Sequence, residues 1–135
     1  MVPNSPTTGE TPRPDPVVLV VEDDVLIRVA TAQYLRGSGF EVLEAVSVDE
    51  AVRILQANKA VRVVFTDVRL PGTRSGIDLL EIVRRDFPHA AVLFTSGIVN
   101  ADALAGKDVT FIRKPYFLFE VERHIKALLA AREPS

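Results

Sequence analysis

From Val17 onward, short apolar runs alternate five times with segments of helical period, and this alternation constrains the fold more than any other feature. Runs of about 4 to 8 β-branched and apolar residues read as buried strands. Strands separated by amphipathic helices pair in parallel, with helices over both faces of the sheet. The strands are expected at 17–21, 40–45, 61–66, 90–95 and 109–113. After the first, Ile27, Ala30, Thr31 and Tyr34 keep the spacing of one helix face, stopped by Gly37 and Gly39. Ser47 and Glu50 form a capping box ahead of Ala51, Val52 and Leu55. A loop with Pro71, Gly72 and Gly76 leads into a helix carrying Ile77, Leu80 and Val83, which Pro88 ends. Residues 96–108 leave room for only a short fourth helix, and the last helix, 119–131, sets Val121, Ile125, Leu128 and Leu129 on one stripe. Right-handed crossovers then give an α/β fold with five parallel strands in the order 2-1-3-4-5.

Composition narrows the function classes. A chain of 135 residues, 47% of them hydrophobic, has material for one two-sided core but not for two domains. The formal net charge of −2, with no basic run, gives no electrostatic footprint for DNA or RNA, so direct nucleic-acid binding is not expected. The lack of cysteine excludes disulfides, thiolate metal sites and thiol nucleophiles, and fits a reducing, cytoplasmic setting. Residues 1–16 hold five prolines with neither a basic nor an apolar leader segment, and read as a flexible tail rather than a secretory signal. No run reaches the ~18 apolar residues of a membrane span. The expected organisation is this tail, one domain at 17–131 and a short tail at 132–135.

Chemistry concentrates at the ends of the apolar runs. Glu22, Asp23 and Asp24 follow the first run, Asp67 follows Val63-Val64-Phe65-Thr66, and Lys114 follows the last. In an open parallel sheet these carboxyl ends converge, and ligands sit just outside them. Clustered carboxylates repel by roughly 4 kcal/mol per pair at ~4 Å and an effective dielectric near 20. A site that keeps them ionised needs a cation, and magnesium and lysine are the candidates. Singly, Asp23 or Asp24 reads as a helix N-cap, Asp67 as a turn former and Thr95 as a solvent-facing strand residue. His89 and His124 have no metal-like spacing and read as surface residues.

Four fragments in order, Val20-Val21-Glu22-Asp23-Asp24, Thr66-Asp67-Val68-Arg69-Leu70-Pro71-Gly72, Phe94-Thr95-Ser96-Gly97 and Arg113-Lys114-Pro115, resemble the receiver domain of bacterial two-component response regulators, a flavodoxin-like fold. The resemblance implies that Asp67 accepts a phosphoryl group from a histidine kinase or phosphotransfer protein. It implies a Mg2+ ion at Glu22, Asp23, Asp67 and the backbone carbonyl of Arg69, with Asp23 as the direct ligand and Glu22 acting largely through water. It further implies that Lys114, aimed inward by a cis bond to Pro115, and Thr95 contact phosphoryl oxygens. The small Ser96 would keep the approach open, and Asp24 would cap the first helix. Phe111 would turn inward when Thr95 moves, passing the change to the face built by 96–108, the last strand and the last helix; the other reading of Phe111 is a core residue. The loop after Asp67 is longer than usual for the family and the span from Thr95 to Phe111 shorter, so the fourth helix should be curtailed, and the combination of Leu70-Pro71-Gly72, Ser75-Gly76 and Thr95-Ser96-Gly97 resembles a stand-alone subgroup of receivers.

The expected function is therefore a single-domain, Mg2+-dependent phosphoacceptor that signals through a downstream protein, catalysing only its own phosphorylation and dephosphorylation. Self-association is left at a weak dimer. The alternative is a receiver-like scaffold or phosphate sink without conformational output. A haloacid-dehalogenase-type phosphatase wants a second aspartate two positions after Asp67, where Arg69 stands, and a flavin-phosphate loop would be repelled by Glu22, Asp23 and Asp24.

Overall fold

A computed structural model describes residues 16–97, 104 and 106–132. The expected tails, apart from Pro16 and Arg132, and the expected short helix at 98–103 and 105 lie outside the described residues. The five parallel strands are β1 (Val17–Val21), β2 (Glu41–Ala45), β3 (Val61–Asp67), β4 (Ala91–Ser96) and β5 (Thr110–Arg113), and they lie in the order β2-β1-β3-β4-β5. The helices are α1 (Val25–Gly37), α2 (Val48–Ala57), α3 (Gly76–Asp86) and α4 (Leu118–Arg132).

Strand parity sorts the core into two layers. Val17, Leu19 and Val21 of β1 face α2 and α3, packing with Val48, Ala51, Leu55, Leu79 and Val83. Val18 and Val20 face α1 and α4, packing with Ala32, Leu35, Val121 and Ile125. Both sides of β1 are therefore apolar because both are covered. The register against β3 slips once, from Val17↔Val61 to Val18↔Val63, leaving the exposed Arg62 as the extra residue. The slip restores the match of buried faces that a one-residue offset would reverse.

The helix ends follow local chemistry. Asp24 caps α1, its carboxylate accepting from the amides of Leu26 at 2.9 Å and Ile27 at 3.1 Å. Gly37 does not stop α1; it is still helical, and the chain turns at Gly39, whose φ of 100° only glycine adopts readily. Phe40 N–H reaches back to the Leu35 carbonyl and Gly39 N–H to that of Arg36, while Phe40 and Leu35 join the same core layer. Ser47 caps α2 as expected, but Glu50 returns to the amide of Val46 rather than to that of Ser47. The reciprocal box belongs to Ser75 and Asp78 at the start of α3.

On α1 the expected core face is displaced. Thr31, Ala32 and Leu35 are buried, while Ile27 and Ala30 are exposed. The sequence of α1 is apolar on more than one side, so spacing alone offers two faces, and the packing against β1 and α4 selects one. Leu128 and Leu129 of α4 pack against the core alongside the buried Val121 and Ile125, as the stripe requires.

Candidate functional site

Pairing brings the chemical residues together at the carboxyl end of the sheet. Val21 is opposite Thr66, so Glu22 leaves β1 level with Asp67, the last residue of β3. Asp67 in turn is opposite Thr95, and Ser96 is opposite Arg113, just before Lys114. The pairing continues one residue further on each side, with Glu22 N–H donating to Ala45 O at 2.9 Å and Lys114 N–H to Ser96 O at 2.9 Å. Four strand ends thus surround an open cleft of about 530 Å3, which Arg69 also lines.

Within it, Lys114 Nζ lies 2.7 Å from Asp67 Oδ1. One carboxylate oxygen each from Glu22, Asp23 and Asp67 falls within 4.8 Å of the others. Glu22 and Asp67 are buried and Asp23 is exposed. Burial, then the hydrogen bond and charge of Asp67, raise the Glu22 carboxyl to about 8, against a lesser lowering by the amide of Asp24. Lys114 alone does not offset three carboxylates. The all-oxygen donor set, and a carboxyl forced toward its neutral form, fit a hard divalent cation such as Mg2+, with Glu22, Asp23 and Asp67 as the side chains that would hold it.

The hydroxyls differ in a way that matters. Ser96 Oγ donates to the Gly97 carbonyl at 2.9 Å, whereas the buried Thr95 Oγ1 has no hydrogen-bond partner. A buried hydroxyl left unpaired costs about 1–3 kcal/mol. The peptide bond between Lys114 and Pro115 is cis, as the resemblance implied. Phe111 is 38% exposed on β5, an edge strand, and is not a core residue here.

Two neighbours of the site were not singled out from sequence as belonging to it. The Tyr116 phenol is raised to about 12 by burial and then by the charges of Asp67 and Glu22, and it approaches Thr95 without closing a hydrogen bond to its γ-oxygen. Its ring meets Phe65 edge-on at 6.1 Å. Gly76 is pressed against the backbone of Asp67, where a β-carbon would come within 2.2 Å of the Asp67 carbonyl oxygen. Its position in sequence, opening a helix after a loop, carries no sign of that contact. His124 Nδ1 is hydrogen-bonded to the Glu120 carbonyl of its own helix, and among the described residues the acidic trio is the single cluster with metal-ligand geometry.

The sequence profile of the response regulator receiver domain matches residues 18–125. The chain belongs to this family. It is 39% identical over 103 residues to a cyclic di-GMP phosphodiesterase of Thermotoga maritima, a match covering 73% of this chain and 27% of that protein. It is 34% identical over 122 residues to the transcriptional regulatory protein PrrA of Mycobacterium tuberculosis, covering 87% of this chain and 51% of PrrA. The chain thus spans about a quarter to a half of these relatives. Among solved structures it resembles a receiver domain protein from Clostridium thermocellum, with a TM-score of 0.79, 30% identity and coverage of 86% of this chain and 95% of that one. It also resembles the receiver domain of the hybrid histidine kinase CckA, with a TM-score of 0.70, 32% identity and coverage of 84% and 98%. Receiver domains are signalling phosphoacceptors of two-component systems, and this receiver has the family's five-stranded fold. No helix among its described residues is long and apolar enough to cross a membrane.

Proposed function

We propose that this receiver takes a phosphoryl group on Asp67 from a phosphohistidine of a kinase or phosphotransfer protein, with Mg2+ held by Glu22, Asp23, Asp67 and the Arg69 carbonyl, and passes the change to a downstream protein. The observation that carries this reading is the meeting of Asp67 with Lys114 at 2.7 Å beside two further carboxylates at the open end of the sheet. An Asp67 carboxylate oxygen attacks phosphorus, the bond from phosphorus to the imidazole nitrogen breaks, and the imidazole departs with that electron pair. The metal, when bound, offsets the negative charge gathered on the attacking and transferred oxygens.

The chain's own residues supply the rest. Lys114 transfers its ion pair from the free carboxylate to a phosphoryl oxygen. Thr95 Oγ1, unpartnered in the free site, donates to another. Ser96 keeps its hydroxyl turned to Gly97 and leaves the approach clear. Phe111, 38% exposed on the edge strand β5, is the aromatic that would change packing when Thr95 moves. The site lies in the cytoplasm on this reading, where kinase phosphodonors and millimolar magnesium are found.

The test is mass spectrometry of intact protein after incubation with acetyl phosphate and Mg2+. A phosphoryl adduct is expected on the wild-type chain and not on Asp67→Asn. An adduct of equal yield on Asp67→Asn would remove Asp67 as the acceptor, and a wild-type chain that takes up no phosphoryl group would favour a scaffold.

A further inference from the structure

Arg28 is out of place by composition, a charged residue on the inward side of α1, one turn before Thr31 and Ala32 and two before Leu35, with only 16% of its side chain exposed. Buried guanidinium groups need partners. Its partners here lie on both sides of the acidic turn. Arg28 Nη1 donates to the Glu22 carbonyl oxygen at 3.1 Å, and Nε donates to Glu44 Oε1 of β2 at 3.2 Å. Glu44 is held from its other oxygen by Arg36 Nη2 at 3.2 Å, and Arg36 also donates to the Val42 carbonyl.

We propose that Arg28 is a positioning residue for the metal-binding acids: bridging Glu44 to the Glu22 carbonyl, it locks the turn between β1 and α1 so that Glu22 and Asp23 are held in register with Asp67. This rests on the reading of the acidic trio as a Mg2+ site. The turn is fixed at three points. Glu22 N–H is tied to Ala45 O at 2.9 Å, the Glu22 carboxylate accepts the Asp24 amide at 3.1 Å, and Arg28 holds the carbonyl between Glu22 and Asp23. Of the three, only the Arg28 bond is made to the carbonyl of the peptide that joins Glu22 to Asp23. Arg28 supplies the constraint on that peptide, and Glu44, anchored on the paired strand β2, supplies its direction. Groups that orient metal ligands from outside typically change metal affinity by about 10–100-fold when removed.

Arg36 provides the control, because it shares Glu44 while its side-chain hydrogen bonds go to Glu44 and the Val42 carbonyl rather than to the acidic turn. Mg2+ titrations followed by amide resonances of 22–24 and 67 should give a dissociation constant about tenfold weaker for Arg28→Met, which keeps the apolar stem, and unchanged for Arg36→Met. Glu44→Gln, which keeps a neutral acceptor, should fall between. Urea unfolding in EDTA separates affinity from stability, and both arginine variants are expected to lose some of the latter. Equal Mg2+ affinity in Arg28→Met and wild type overturns the proposal whatever the stability, as does an equal loss in both arginine variants, which would mark general loosening. If Arg28→Met does not fold, Glu44→Gln decides, and wild-type affinity in that variant overturns it. A wild-type chain without Mg2+ affinity would instead bring down the metal reading, and this inference with it.

Discussion

Gly76→Ala should damage this domain more than its chemistry suggests. The Ala β-carbon would sit 2.2 Å from the Asp67 carbonyl oxygen, 3.0 Å from Val68 Cα and 3.1 Å from the Asp67 carbonyl carbon. All three are backbone atoms, so no side chain can swing aside, and α3 and the end of β3 must part by about 1 Å to reach ordinary contact. Overpacking of this kind costs about 1–3 kcal/mol. The movement also strains the bond from Gly76 N–H to Val68 O, 2.7 Å long, which is worth roughly another 1 kcal/mol. Against this stands a helix-propensity gain of at most about 1 kcal/mol, smaller in a first turn. The net expectation is a loss of about 2–3 kcal/mol, or on the order of 10 °C in melting temperature for a domain of this size. Urea denaturation in EDTA, with a thermal scan, measures it. Gly37→Ala is the internal control, since Gly37 is helical and a β-carbon there meets nothing within 4 Å. It should be neutral or stabilise by up to about 1 kcal/mol. A Gly76→Ala variant within about 0.5 kcal/mol of wild type would refute the close approach of α3 to the end of β3.

Three further outcomes follow from the site. Without metal, Glu22 binds its proton more tightly folded, at about 8, than unfolded, near 4.5, so the folded state carries more protons between these values and stability should fall as pH rises through that window, then level off. Glu22→Gln should flatten that slope in urea titrations, and Mg2+ should stabilise the wild type more at pH 8 than at pH 6. Lys114→Met strips the buried Asp67 of its ion-pair partner; because Lys114 is itself 39% exposed, the loss should be about 1–2 kcal/mol at neutral pH rather than the larger cost of a fully buried pair, and an unchanged unfolding midpoint would contradict it. Ser75→Ala removes the acceptor for the amides of Ile77 and Asp78 and should cost about 1 kcal/mol in chemical denaturation.

The meeting of the acid turn, Asp67 and Lys114 in one cleft was legible because each follows an apolar run directly, and a parallel sheet has one place for such residues. Strand pairing was legible for the same reason: β3 is apolar on both sides, as a central strand must be. The side of α1 that packs inward was not, since Ile27 and Leu35 are both apolar and only one faces the sheet. Nor were the roles of Arg28 and Gly76. A guanidinium that folds back to a carbonyl six residues earlier, and a missing β-carbon that admits another strand's backbone, depend on distances across the fold that spacing along the chain does not encode.

The loop after Asp67 hangs from a closed neck. Val68 and Gly76 are bonded at its base, Ser75 is committed to α3, and Arg74 is paired with Asp49 of α2. Pro71, Gly72 and Thr73 stand exposed beyond that neck. Residues added there lengthen a ring that is already shut, and doubling such a ring costs only about 0.6 kcal/mol. The mouth of the cleft is therefore open to variation in length and composition at little expense to the scaffold, which makes it a place where an epitope or a recognition peptide can be grafted, and where related chains can diverge in the partners they admit, while Asp67 beneath stays fixed.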